Sequence, residues 1–465
     1  MASTNLHPLE APVRTLILAF ALWKVSLLLI AASSPGSGYD TSTSLLLSSL
    51  HSIGRRKLPS AVQYLIGKLV RWDAIYFVRV SNREYLYEQE WAFGWGFSRM
   101  IKFSTTGLGY LGIPHYDGLE GLVGILLAHV SHLLSVLVLH SLTLRLFPSR
   151  SFALVTALLY IISPAGIFLS APYAESSCAL LTFLGIFLFT KSFGSEASNR
   201  TFGHDLLVLI SGVIFGVATT FRSNALLNGL LLLEEAFRNL FDLCNEFHIT
   251  TIRRIVITGL GGLCVGIGFL FPQYLAYQEY CRATDAESIR TWCTNSIPSI
   301  YTFVQGYYWY VDMFGSVEAY LTSIRNNGLF NYWTLSNIPL FLLAMPMIII
   351  LGVSSNWGIR DSHSQPISVA SKKKTNLPVN GIQHTDKVQI VRNLALSQLL
   401  LTLYTVTCGH VQIITRISSS YPVYLWYMAI LLAKGHGATV RNVGRFMIIY
   451  AGIQSGLFSS FLPPA

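Results

Sequence analysis

The residues best placed to do chemistry fall in one stretch of the chain. Arg71-Trp72-Asp73-Ala74-Ile75-Tyr76-Phe77 leads into Asn82-Arg83-Glu84-Tyr85-Leu86-Tyr87-Glu88-Gln89-Glu90-Trp91-Ala92-Phe93. Carboxylates and rings interleave at helical spacing, the pattern of a segment lying along a membrane surface with its aromatic side toward lipid. On that reading Asp73, Glu84 and Glu88 face a cavity. A carboxylate beside Trp72 can act as a general base if its neighbours leave it ionised at working pH. An aromatic belt explains any single Trp or Tyr at this depth equally well. It does not explain Asp73.

The elements that must position these residues are membrane helices. Of 465 residues 52% are hydrophobic and only 12% charged, with a mean hydropathy of +0.51. An ordinary soluble domain carries about a quarter charged residues, so this chain reads as an all-α polytopic membrane protein. The same figures exclude a disordered chain, and six cysteines are too few for a disulfide scaffold. A net charge of +10 invites a nucleic-acid reading, but cations in membrane proteins gather in cytoplasmic loops and meet lipid phosphates. Membrane lipids are therefore the expected partners, and nucleic acid is not.

Apolar runs of about 20 residues predict roughly eleven transmembrane helices, starting near Val13, Leu122, Phe152, Ala174, Leu206, Ala225, Ile255, Ile338, Leu394, Tyr421 and Phe446. The first, with Trp23 and Lys24, reads as a retained anchor. The run from Ala225 meets Glu234-Glu235-Ala236-Phe237-Arg238 and can equally lie in the interface. A cytoplasmic amino terminus places Arg145, Arg150, Arg238, Arg253, Arg254, Lys372 to Lys374, Lys434, Arg441 and Arg445 inside, as the positive-inside rule requires. One membrane domain then covers residues 1–465, with large non-cytoplasmic segments at 33–120 and 277–337 and a cytoplasmic loop at 356–390. The sequon Asn199-Arg200-Thr201 falls inside and is expected to stay unmodified.

His129, His132 and His140 share one span. They can be read as metal ligands, but no acidic partner sits beside them, and hydrogen bonding between helices is the favoured use. No metal is expected. Cys281 and Cys293 both lie in 277–337 and can pair in an oxidising compartment. The other four cysteines read as packing.

Several motifs occur in a fixed order. Trp72-Asp73 with Phe77, Tyr85-Leu86-Tyr87-Glu88 and Ala92-Phe93 are followed by Ser163-Pro164-Ala165-Gly166-Ile167-Phe168, Ala171-Pro172-Tyr173-Ala174-Glu175-Ser176 and Phe221-Arg222-Ser223-Asn224. Later come Val304-Gln305 with Tyr308-Trp309, Gly328-Leu329-Phe330-Asn331-Tyr332-Trp333, and His410-Val411-Gln412-Ile413-Ile414-Thr415-Arg416. This series, from about residue 70 to about residue 430, resembles the GPI mannosyltransferase 2 family. The chain departs from that family where Gly94-Trp95-Gly96 replaces a proline-containing stretch, where Tyr76 replaces a histidine, and where Tyr310 to Asn327 reads as an insertion. Glycines can make by freedom the turn that prolines make by restriction.

The resemblance implies a GT-C-type glycosyltransferase bundle with lumenal amphipathic segments in the endoplasmic reticulum membrane. It would transfer mannose from dolichyl-phosphate mannose, in α-1,6 linkage and with inversion, as the second mannose of the GPI precursor. The acceptor would be a mannosylated glucosaminyl-phosphatidylinositol. No bound cofactor is implied, and a small accessory membrane subunit is a plausible partner. Asp73 would be the base. Arg222 and Arg416 would clamp the donor phosphate, although each can equally be an interfacial anchor. Trp72, Glu84, Glu88, Glu175, Gln305, Tyr308, Trp309, Asn331, Trp333, His410 and Gln412 would contact substrates. Glu175 serves equally well as a helix cap, and the aromatic residues serve equally well in packing.

Overall fold

The protein's computed structural model describes residues 10–36, 42–43, 46, 56–193, 202–282, 290–307, 329–360 and 382–462. Its helices are α1 (Pro12–Ser33), α2 (Ser60–Leu69), α3 (Asp73–Arg83), α4 (Trp95–Tyr110), α5 (Leu119–Leu146), α6 (Arg150–Ile161), α7 (Glu175–Lys191) and α8 (Phe202–Phe221). They continue as α9 (Gly229–Asn245), α10 (Ile249–Tyr280), α11 (Ile300–Tyr307), α12 (Ile338–Arg360), α13 (His384–Cys408), α14 (Ile414–Ile417), α15 (Val423–Ala433) and α16 (Gly437–Ser459). Two short strands, β1 (Arg56–Lys57) and β2 (Tyr116–Asp117), pair in parallel with Arg56 opposite Tyr116. Lys372 to Lys374 and the Asn199 sequon lie outside the described residues.

Among the described residues, six helices are long and apolar enough to cross a membrane: α1, α5, α8, α10, α12 with its leading turn, and α13. They do not confirm the expected count of eleven, and proline and polar interruptions shorten the runs from Phe152, Ala225 and Tyr421. The run from Phe152 stops at Ile161, before Ser163-Pro164, and the run from Tyr421 gives only α15, after Pro422. At about 1.5 Å per residue, helices of 12 and 11 residues reach only part of the way across a hydrocarbon core of about 30 Å. The run from Ala225 opens as a 3-10 turn, Ser223–Asn228, before the polar α9.

The bundle has two polar ends. Glu175 begins α7 and Arg222 follows α8 at one end; Ser192 follows α7 and Asp205 begins α8 at the other. The 17 residues of α7 separate the ends by about 25 Å. At the Ser192 end, Arg254 is wholly buried, with Nε 2.8 Å from Glu235 Oε1, Nη1 3.3 Å from Asp205 Oδ1, and Nη2 donating to Ser192 Oγ at 2.9 Å. Arg253 also holds Asp205, while Arg238 joins Glu235 to Asp386 of α13. The sequence places these arginines on the cytoplasmic side as topological charges. In the structure they tie α8, α9, α10 and α13 together, a buried network in which losing one partner leaves charges uncompensated at a cost of about 3–5 kcal/mol.

Helices α1 and α16 run parallel, with Ile30 beside Gly452 and Ser34 beside Gly456. Phe461, just past α16, meets Trp72 with ring centroids 5.6 Å apart, and the Arg71 guanidinium lies 4.5 Å from its centroid. This contact brings the carboxyl end of α16 to the Asp73 side of the bundle.

Candidate active site

Asp73 is the first residue of α3, and the residue before it is strained. Trp72 has φ 55° and ψ −132°, a region that non-glycine residues enter at a cost of about 1–3 kcal/mol and that clusters at functional sites. Glu84, just past the helix, has φ 70°. Two left-handed residues thus bracket α3, fix both of its ends, and set the direction in which Asp73 points.

Arg416 of α14 donates from Nη1 to Asp73 Oδ2 at 3.0 Å, although 343 positions separate the two in sequence. Its Nε lies 3.0 Å from Glu175 Oε1, and Nη2 of Arg222 meets the same oxygen at 3.0 Å. The contacts with Glu175 are charge contacts, without the alignment of hydrogen bonds. The order Asp73, Arg416, Glu175, Arg222 alternates in sign and sums to zero. Glu175 is 2% exposed, so the two guanidiniums supply the compensation that a desolvated carboxylate needs. Phe168 and Tyr173 form a corner, their rings inclined at 75°, and the Arg416 guanidinium lies 5.1 and 5.4 Å from their centroids.

Burial alone would lower the pKa of Arg416, but Asp73 and then Glu175 outweigh it and hold the guanidinium above its ordinary value. Burial pushes the Tyr173 hydroxyl well up, with Asp73 adding to the effect. The same two causes raise Tyr76, whose ring stacks on Phe93 with centroids 4.5 Å apart.

A cavity of about 1690 Å³ opens beside this array. It exceeds the roughly 300–1,000 Å³ of a typical small-molecule pocket, so two bulky substrates can share it. Asp73, Arg222 and Arg416 line one wall with Trp72. Gln305, His410 and Gln412 also reach the cavity. Gln412 accepts a hydrogen bond from Tyr332 at 2.9 Å, and burial lowers the pKa of His410.

Glu84, Glu88, Asn331 and Trp333, also singled out in the sequence, do not line this cavity. Because α3 ends at Arg83, the helical spacing that groups Glu84 and Glu88 with Asp73 does not continue. Glu84 pairs with Arg99 and Lys102, while Glu88 is buried and accepts from Trp292 Nε1 at 2.8 Å. Asn331 and Trp333 sit in the turn before α12, where Trp333 Nε1 donates to the Val406 carbonyl at 2.8 Å. Tyr308 and Trp309 lie outside the described residues. Conversely, Phe168 and Tyr173 belong to sequence motifs that gave them no role, and only tertiary contact reveals them against Arg416. Trp91 and Trp95 also line the cavity.

Cys281 and Cys293 are joined in a disulfide with Cα atoms 5.5 Å apart, and Trp292 between them carries the bond to Glu88. Gly94 and Gly96 lie against the end of α8, where a Cβ on Gly94 would overlap the Phe221 carbonyl oxygen. With φ at −56°, Gly94 supplies space rather than conformational freedom. Among the described residues, no group of three or more His, Cys, Asp or Glu could hold a metal ion. His129 Nδ1 donates within its own helix, to the Ile125 carbonyl at 2.8 Å, and His132 packs edge-on against Phe20 and Tyr160.

Fold and site together define a polytopic helical membrane protein with a carboxylate and an arginine pair on the wall of a large cavity. Residues 13–465 match the family model described as Mannosyltransferase (PIG-V), and the chain belongs to that family of glycosyltransferases. It is 42% identical to a Chaetomium globosum protein named GPI mannosyltransferase 2, over 98% of this chain and 96% of that one. The protein of the same name from Gibberella zeae is 40% identical over 98% of both chains, and that from Aspergillus oryzae is 35% identical over 100% and 99%. A solved archaeal oligosaccharyltransferase from Archaeoglobus fulgidus aligns over 94% of this chain and 56% of its own, at 13% identity and a TM-score of 0.42, too low to bear on the argument.

Proposed function

We propose that the protein transfers mannose from dolichyl-phosphate mannose, in α-1,6 linkage, as the second mannose of the GPI-anchor precursor in the endoplasmic reticulum lumen, on a GT-C-type bundle. The observation that carries this reading is the placement of Asp73, Arg416, Glu175 and Arg222 in one charge array beside the cavity. A β-linked mannosyl phosphate that yields an α product requires inversion, hence one in-line attack. Asp73 accepts the proton of the attacking acceptor hydroxyl, a role for which one carboxylate suffices. The bond from the anomeric carbon to the phosphate oxygen breaks, and dolichyl phosphate leaves with that electron pair. Arg416 and Arg222 meet the growing negative charge through directional N–H donors, which suit phosphate better than a point charge does. Trp72, Trp91 and Trp95 offer flat faces for sugar rings.

The test is to deplete the protein from cells and identify the GPI precursor that accumulates. A species carrying one mannose supports the reading, and a species stalled at any other step contradicts it.

A further inference from the structure

Lys24 lies in the middle of membrane helix α1, yet its side chain is only 4% exposed and points inward. A cationic side chain inside a membrane helix is costly and persists where it has specific partners and a use. Nζ donates to the Leu169 carbonyl at 2.8 Å and to Ser170 Oγ at 2.7 Å, across some 145 positions of sequence. Leu169 ends the 3-10 turn Gly166–Leu169, and Ser176 Oγ at the start of α7 donates to the same carbonyl at 3.3 Å. Gly166, with φ 39°, packs so closely on α16 that a Cβ there would sit 2.8 Å from that of Ala451. The turn is therefore held from three helices. It carries Phe168, and Tyr173 and Glu175 follow directly; all three touch Arg416.

We infer that Lys24 is a positioning residue: by holding the Leu169–Ser170 turn it fixes Phe168, Tyr173 and Glu175, and through them the direction in which Arg416 meets Asp73 and the donor phosphate. The proposal rests on the reading of Arg416 as a clamp on the donor phosphate and Asp73 as base. Lys24 does not line the cavity, and its hydrogen bonds go to Leu169 and Ser170 rather than to the charge array. Misplacing a reacting group by about 1 Å costs on the order of 100-fold in rate, so a residue acting at this remove can still control turnover.

The test uses the full chain in lipid nanodiscs with dolichyl-phosphate mannose and the one-mannose acceptor. Lys24→Met keeps the length and removes the donors. The expected result is a loss of about 10- to 100-fold in kcat/KM for the donor, with KM for the acceptor unchanged and the melting temperature close to that of the unaltered chain. Donor kinetics like those of the unaltered chain overturn the proposal, as does an equal loss for both substrates that follows a lower melting temperature. If Lys24→Met does not accumulate as folded protein, Ser170→Ala decides: it deletes one of the two acceptors at little change in volume, and must give a smaller, donor-selective loss. Unchanged donor kinetics there also overturn the proposal. Failure of the unaltered chain to transfer mannose at all would instead count against the proposed function.

Discussion

At the scale of single residues, Asp73 has a charged partner before any substrate arrives. Its contact with Arg416 at 3.0 Å sets a guanidinium beside the carboxylate in a partly buried site. Asp73 is legible in the sequence as a carboxylate among rings in the segment 33–120, and Arg416 as the end of the motif that begins at His410, but their meeting is not, because 343 positions separate them. Glu84 and Glu88 show the opposite failure. Their spacing extends a helix that the left-handed backbone at Glu84 has already ended. His410 gives a prediction at this scale. Burial lowers its pKa, so the folded protein binds a proton there less readily than the unfolded chain, whose value lies near 6.5. The contribution of His410 to stability is therefore full above that value and is lost as pH falls below it toward the folded pKa. Thermal melts in detergent between pH 7.5 and 5.5 should show that decline in the unaltered chain and a shallower one in His410→Gln.

At the scale of elements, hydropathy finds the long helices and misjudges the short ones. Helices α1, α5, α8, α10, α12 and α13 correspond to runs read from sequence. The runs from Phe152, Ala225 and Tyr421 shorten where Ser163-Pro164, Arg222-Ser223 and Tyr421-Pro422 interrupt the regular backbone beside the polar end. Irregular backbone at membrane depth is tolerated where it is buried in protein or lines a cavity, and Arg222 and Ser223 do line it. A window of 20 residues averages over such breaks. The glycines of the Gly94-Trp95-Gly96 stretch are legible as glycines, but the packing that demands the first of them is not. Gly94→Ala must push the loop away from Phe221 and should cost about 1–3 kcal/mol. Gly107, within α4 and with nothing inside 4 Å of its would-be Cβ, is the matched control, and Gly107→Ala should be neutral or stabilising by up to about 1 kcal/mol. Denaturation midpoints of the two variants check this, and equal destabilisation would contradict it.

For the whole molecule, the +10 charge balance divides between the two ends of the bundle. Arg14, Lys434, Arg441 and Arg445 are exposed near the amino-terminal ends of the parallel helices α1 and α16, whereas Arg222 and Arg416 line the cavity toward the other end. The division fits a cavity that faces the lumen, with the exposed cations on the cytoplasmic side. In sealed microsomes, a membrane-impermeant maleimide should label Lys434→Cys from outside. It should reach Ile297→Cys, at a position 83% exposed on the cavity rim, only after the membrane is opened. The reverse pattern would invert the orientation. Composition and mean hydropathy already indicate a membrane protein. The meeting of two carboxylates with two arginines from four separate segments is what turns that class into a candidate enzyme. Its most direct test replaces the chain in living cells with Asp73→Asn, present at unaltered abundance, and identifies the GPI precursor that builds up. Accumulation of the one-mannose species is the predicted result; normal elongation past the second mannose would contradict the account.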